Sequence, residues 1–272
     1  MIPVIRYLGL HMVLLVIFLL AVGCPRSPLS DNVTRTRDIV YGMGYVRDDA
    51  ADSGYRLRKL YFDLLEATDV PAENRPAVLM IHGGSFMGGS KADEDLVIVA
   101  NGLAEVGYVC FLIDYRLDGD NPPHPGSWDP APDEAKALDI PSLAAVRAAF
   151  VDAKTAMRHI RANSAVYGID PARIAIWGES AGAFVALAAG LTDPEEFSSD
   201  GAGFPVPVEN NPGVDPRPAA IVECWGSAAF TPDAFTPGDP PIMIFHGLRD
   251  TTVPFLFALD IEARCQQANI PY

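Results

Sequence analysis

Short apolar runs alternate with stretches of helical period along most of the 272 residues, the arrangement that builds a parallel sheet wrapped by helices. Residues 39–46 and 57–65 read as two opening strands, a hairpin-like lead-in. Residues 77–82 form a wholly apolar strand that runs into a glycine-rich loop, 96–107 a helix, and 108–114 the next strand. The clearest helix is 143–162, where Leu143, Val146, Phe150, Ala153, Met157 and Ile160 recur at threes and fours and so gather on one face. Tyr167-Gly168-Ile169-Asp170-Pro171 breaks it. Residues 173–177 then read as a buried strand and 181–191 as a helix of small residues. Two more strands, 219–225 and 242–246, precede a final helix over 255–269. Two segments have no period: 116–140, rich in proline and holding Trp128, and 192–218. Long loops in compact domains often serve as lids or binding loops, so both are expected to shape a pocket.

The first 24 residues follow a different pattern. Arg6 is their only charged residue until the apolar stretch from Met12 to Val22 has passed, and that stretch is short for a membrane span. A basic start followed by a short apolar core is the layout of an export signal. It ends in Leu20-Ala21-Val22-Gly23-Cys24, which resembles a bacterial lipobox, with Ala21 where leucine is more usual. Cys24 is then the expected lipidation site, anchoring an exported cell-envelope protein to a membrane. Ordinary signal-peptidase cleavage, giving a periplasmic or secreted protein, and an uncleaved anchor are the alternatives. Residues 25–38 read as a tether, and 39–272 as one domain.

The remaining composition narrows the function. A net charge of −15 repels a polyanion and argues against nucleic-acid binding. Four cysteines are too few for a disulfide scaffold. Cys110 sits in an apolar strand and is expected to be buried and inert. Cys224 and Cys265 have the option of pairing in an oxidising compartment, which spacing alone does not decide.

The chemistry lies in two glycine-rich segments. Gly178-Glu179-Ser180-Ala181-Gly182 follows a strand and precedes a helix. That context lifts the Ser180 hydroxyl out of a tight turn at a helix N-terminus, with glycines on both sides where a larger side chain would collide. His82-Gly83-Gly84-Ser85-Phe86-Met87-Gly88-Gly89-Ser90 follows another buried strand. Its backbone N–H groups can face an oxyanion. A flexible loop is the plainer alternative, and a phosphate cradle is disfavoured because no Lys-Ser/Thr follows. Asp250, just past the strand 242–246, can orient a histidine and stabilise its cation; Asp260 and Glu223 are the weaker candidates for that role.

His82-Gly83-Gly84, Asp114-Tyr115-Arg116, the run from Tyr167 into Gly182, and Phe245-His246-Gly247-Leu248-Arg249-Asp250 through Pro254 occur in order. Together they resemble the esterase and lipase branch of the α/β hydrolases, near the carboxylesterase and hormone-sensitive-lipase-like groups, over residues 39–272. The resemblance implies the α/β-hydrolase fold, with a mostly parallel sheet flanked by helices. It makes Ser180 the nucleophile, Gly83, Gly84 and Ala181 the oxyanion donors, and Asp250 the triad acid. It further implies a small-molecule ester substrate and neither a metal nor a cofactor.

The triad order for this fold is Ser, acid, His, yet no histidine follows His246. His11 lies in the signal, His82 opens the loop, His159 is expected to be solvated on its helix, and His246 has a structural position. Only His124 has any prospect of swinging over Ser180. The family pattern therefore places the histidine, one more strand and a closing helix beyond residue 272, with the chain as written near-inactive. A prolyl-oligopeptidase-like peptidase and a non-catalytic lipid-anchored binding protein of the same fold are the rival functions.

Overall fold

The computed structural model describes residues 29–124 and 142–272. The expected signal with Cys24 and His11, the start of the tether, and 125–140 of the proline-rich excursion lie outside the described residues.

Among the described residues seven strands form one sheet: β1 (Val33–Arg47), β2 (Tyr55–Ala67), β3 (Arg75–Ile81), β4 (Val109–Ile113), β5 (Ile169–Glu179), β6 (Ala220–Cys224) and β7 (Ile242–Phe245). Their spatial order is β1-β2-β4-β3-β5-β6-β7. β1 and β2 pair antiparallel and β2 joins β4 antiparallel, whereas β4, β3, β5, β6 and β7 run parallel. The parallel strands are the continuous apolar runs of the sequence, because helices cover both their faces. Among the described residues four helices do so: α1 (Glu94–Glu105), α2 (Leu143–Ala162), α3 (Ala181–Leu191) and α4 (Leu256–Ala268). On one face, Leu79, Phe111, Phe150, Met157, Ile176 and Leu187 belong to a single buried cluster. On the other, Leu96 and Leu103 of α1 pack with Val78, Met80, Leu112 and Val222. This is the α/β-hydrolase fold that the sequence implies.

The tether is shorter than expected. Residues 33–38 are the first part of β1, paired with 64–67 of β2 as far as Thr36, and the Ser30 amide donates to Asn101 of α1 (3.0 Å). The polar run Thr34-Arg35-Thr36-Arg37-Asp38 obscured this strand. It sits where the pairing register shifts between Thr36 and Ile39, and Asp38 takes a left-handed φ of 57° there.

The loop 192–218 also departs from expectation. Its Asn210 side chain accepts from Met43 N–H and donates to Met43 C=O (2.8 and 2.9 Å). Asp200 accepts from Tyr45 N–H and from Arg116. The buried Lys154 ammonium of α2 donates to the carbonyls of Thr192, Asp193 and Glu196. This segment thus straps β1 to α2, and none of its residues lines the cavity described below.

At the centre of that strap is Arg116, fully buried. Its guanidinium lies 2.7 Å from Asp152 and 2.8 Å from Asp200, and its Nη1 also donates to Tyr45 C=O at 2.9 Å.

Candidate active site

β3 and β5 are neighbours, but the chain leaves them on opposite sides: β3 connects onward to β4, and β5 to β6. In open α/β sheets such a reversal opens a crevice at the carboxyl ends of the strands. Ser180 stands at that end of β5, and the loop from His82 to Ser90 begins at that end of β3.

Ser180 has φ 52° and ψ −121°, a conformation that a non-glycine residue adopts only under constraint. Three features impose it. The Ser180 amide donates to Cys224 C=O of β6 at 2.9 Å. A Cβ on Gly178 would lie 2.0 Å from Gly182 C=O, and one on Gly182 would lie 2.2 Å from Ile81 C=O. Helix α3 therefore starts pressed against β3, which no side chain at either glycine permits.

Gly83 passes so close to the turn that a Cβ on it would be 3.2 Å from Ser180 Cβ. Gly84 has φ 110°, and a Cβ there would meet Gly88 C=O at 2.2 Å. The loop is pinned from below. His82, buried, stacks on Tyr115 at 4.3 Å between ring centroids and donates from Nδ1 to Gly83 C=O (2.7 Å). The Tyr115 hydroxyl donates to the carbonyls of His82 and Gly83, and Phe86 is buried against Tyr115 and Phe230. Burial lowers the His82 pKa. Ala181 is the first residue of α3, so its amide has no intrahelical partner.

Ser180, Gly83 and Gly84 open onto one cavity of about 620 Å³, walled also by Asp93, Glu94, Asp95, Ile98, Glu179 and Trp225. The structure thus brings Ser180 together with the Gly83 and Gly84 loop. The acidic residues of the wall and Trp225 were not singled out from sequence. Asp93, Glu94 and Asp95 open α1, where negative charge suits the helix dipole. Glu179 is pushed up to about 7 by burial, reinforced by Asp95 and Asp93.

Asp250 follows β7, and its carboxylate accepts from the amides of Val253 and Thr252 (both 2.9 Å). Those bonds hold its pKa below the usual range. It does not line the Ser180 cavity. His246, its side chain 1% exposed, lies 3.9 Å from Asp250 and donates from Nε2 to Val253 C=O (2.7 Å), which suits the structural position expected of it. Asp260 pairs with Arg264 one turn along α4.

One expectation needs revising. His159 is half-buried rather than solvated: it shares a hydrogen bond with the Tyr167 hydroxyl (2.9 Å) and meets the Phe62 ring, and burial lowers its pKa. Cys224 and Cys265 are both buried and free. Cys110 is buried too, and burial raises its thiol pKa. His124 is exposed. Among the described residues, no group of three or more His, Cys, Asp and Glu side chains is arranged to hold a metal ion.

Glu223 lies in β6 directly opposite Gly178 and is fully buried. Its Oε1 accepts from the Gly226 amide, while Oε2 has no partner. Burial pushes its pKa up to about 7. Between the ordinary glutamate pKa and 7, the folded chain therefore keeps a proton that the unfolded chain has released. Stability from this group is complete below that ordinary value and falls as pH rises through 7. Glu223→Gln is expected to be more stable than the parent at pH 8 by about 3 kcal/mol and equal to it at pH 4. Urea denaturation at both pH values measures this, and equal stabilities at pH 8 contradict it.

A family model, BD-FAE, matches residues 141–234. Esterase LipC of Mycobacterium tuberculosis is 26% identical over 234 residues, covering 74% of this chain and 52% of its own length. The probable carboxylic ester hydrolase LipM of the same organism is 27% identical over 175 residues, covering 62% of this chain and 35% of its own. The chain thus spans about half the length, or less, of these curated relatives. Among solved structures, a propionate-bound thermophilic esterase from the planctomycete Thermogutta terrifontis superposes with a TM-score of 0.63 at 20% identity, covering 90% of this chain and 82% of that one. A truncated carbohydrate esterase from gut microbiota gives 0.62 at 18% identity, covering 90% and 87%.

Proposed function

Because the family model, the curated relatives and the solved structures together support an α/β hydrolase of the esterase and lipase family, we propose that the Ser180 centre hydrolyses carboxylic esters of small molecules by acyl transfer. The observation that carries this is the strained Ser180 turn facing the Gly83 and Gly84 backbone across one cavity. Ser180 Oγ attacks the ester carbonyl and the alcohol leaves, giving an acyl-serine that water then cleaves to the acid. The amides of Gly83, Gly84 and Ala181 receive the oxyanion, each such donor being worth about 3–4 kcal/mol of barrier. Asp250, held by two backbone amides, is the acid that would orient and stabilise a histidine base.

That base is the part these residues do not supply. None of the described histidines lines the Ser180 cavity, and a serine hydrolase stripped of its histidine loses about 10⁶ in kcat. The alternative reading is a binding protein that keeps the pocket without turnover. Ser180→Ala separates the two. For the hydrolase, the variant is expected to abolish both p-nitrophenyl acetate hydrolysis and fluorophosphonate labelling of the chain. Equal hydrolysis by variant and parent refutes the Ser180 mechanism. Ester binding that Ser180→Ala leaves intact, with no release of nitrophenol from either protein, favours the binding function.

A further inference from the structure

One wall of the Ser180 cavity is built at a conformational cost that the acyl-transfer scheme leaves unused. Trp225 follows β6 immediately and lines the cavity, yet it has φ 46°, a left-handed conformation that bulky residues rarely take. Strain of this kind persists only where the surroundings over-determine it, and here they do. The Trp225 amide donates to Phe245 C=O at 2.7 Å, and the preceding carbonyl, Cys224 C=O, accepts from Ser180 itself. Gly226, next in the chain, is wedged so tightly that a Cβ would lie 2.5 Å from Ala183 Cβ of α3 and 3.0 Å from Glu223 Oε1. Its amide is gripped by that same buried Glu223 carboxyl. The partnerless Oε2 of Glu223 makes this an expensive way to satisfy one amide. It is explained if holding the turn matters more than satisfying the carboxyl.

We propose that Trp225 is the specificity residue that limits the size of the group accepted beside Ser180, and that Glu223 is the positioning residue that holds it there through the Gly226 amide. Esters with small acyl groups are then the substrates of this pocket, and bulkier ones are excluded by the indole. This rests on Ser180 being the nucleophile.

The test compares labelling of the full chain by a small and a bulky alkyl fluorophosphonate. In both, Ser180 Oγ bonds to phosphorus, fluoride leaves with the bonding pair, and the serine proton passes to solvent. Trp225→Ala is expected to raise the bulky-to-small rate ratio by at least about 10-fold, the scale on which a pocket wall discriminates methylene groups. Glu223→Ala is expected to raise it in the same direction, and Glu223→Gln, whose amide oxygen still accepts from Gly226, to restore the parent ratio. A chain with Trp128 and Trp177 replaced by phenylalanine reports on Trp225 alone: its emission shifts to the red with Glu223→Ala and stays in place with Glu223→Gln. An unchanged ratio in Trp225→Ala overturns the wall. An unmoved emission in Glu223→Ala overturns the grip. Failure of the nucleophile assignment itself looks different, because Ser180→Ala then labels at the parent's measurable rate, and the Trp225 emission, which needs no labelling, decides the grip of Glu223 in either case.

Discussion

Replacing Arg116 by methionine is expected to destabilise the fold by about 3–5 kcal/mol, the cost of leaving buried charges without their partner. The guanidinium is fully buried, and Asp152 and Asp200 are nearly so, with side chains 1% and 6% exposed. Arg116 donates from Nε and Nη2 to Asp152, and from Nη1 to Asp200 and Tyr45 C=O. Its main-chain amide donates to Asp152 as well. Burial already raises the Asp152 pKa, against the pull of Arg116. Without the arginine, two carboxylates face each other in a space that water does not reach. Lysine is a poor substitute, since a point charge cannot serve both carboxylates with paired N–H groups. The triple change Arg116→Met, Asp152→Leu, Asp200→Leu is expected to recover part of the loss, because removing all the charges removes the desolvation penalty too. Equilibrium urea unfolding at neutral pH gives the numbers; a loss below about 1 kcal/mol for Arg116→Met, the value of an exposed ion pair, would show that the network carries no weight.

The second large effect is expected at the glycines that let the Ser180 turn close. Gly182→Ala puts a methyl group 2.2 Å from Ile81 C=O and 2.7 Å from His82 C=O. These are backbone atoms of β3 and its following loop, so no side chain can swing aside. Either α3 lifts off the sheet or the Gly83 and Gly84 segment is pushed away from Ser180. The cost is expected to be on the order of 3 kcal/mol, the upper end for forced overpacking, together with loss of fluorophosphonate labelling. Gly88→Ala is the internal control: it lies in the same loop, but a Cβ there meets nothing within 4 Å, so its stability should stay within about 0.5 kcal/mol of the parent. Thermal unfolding and labelling of the two variants side by side provide the check. A Gly182→Ala chain with parental stability and labelling defeats the steric account of the turn.

What the sequence made legible was whatever depends on neighbours along the chain. Residues 143–162 and 181–191 match α2 and α3, because a single apolar face and a block of small residues both announce themselves locally. The Ser180 turn was readable for the same reason: strand, glycine, serine, glycine and helix are contiguous. What stayed hidden depends on distant partners. Arg116 meets Asp152 and Asp200 at separations of 36 and 84 residues, and nothing in Asp114-Tyr115-Arg116 announces a buried ion cluster. The same holds for the role of 192–218, whose Asn210 pairs with Met43, 167 residues away. Trp225 was read as the last residue of a strand, since an apolar residue after Ala220–Cys224 continues the run. Only the packing of Gly226 on Ala183 turns it into the cavity. His159 is expected to be solvated because its helix alone offers it no cover, and the ring of Tyr167 that covers it comes from the turn after the helix.

The strand order has a kinetic side. β1 and β2 are long and joined by a short connection, so they can zip together on the microsecond scale typical of hairpins, about 1–10 μs. β3 and β5 cannot: Arg173 of β5 reaches back to Asn74, 99 residues earlier, and such loops must close before any contact rewards them. The Ser180 turn and the Gly83 segment meet only through this late pairing. During refolding, far-ultraviolet ellipticity should therefore recover ahead of the reactive serine, whose appearance marks the last cooperative step rather than an early collapse.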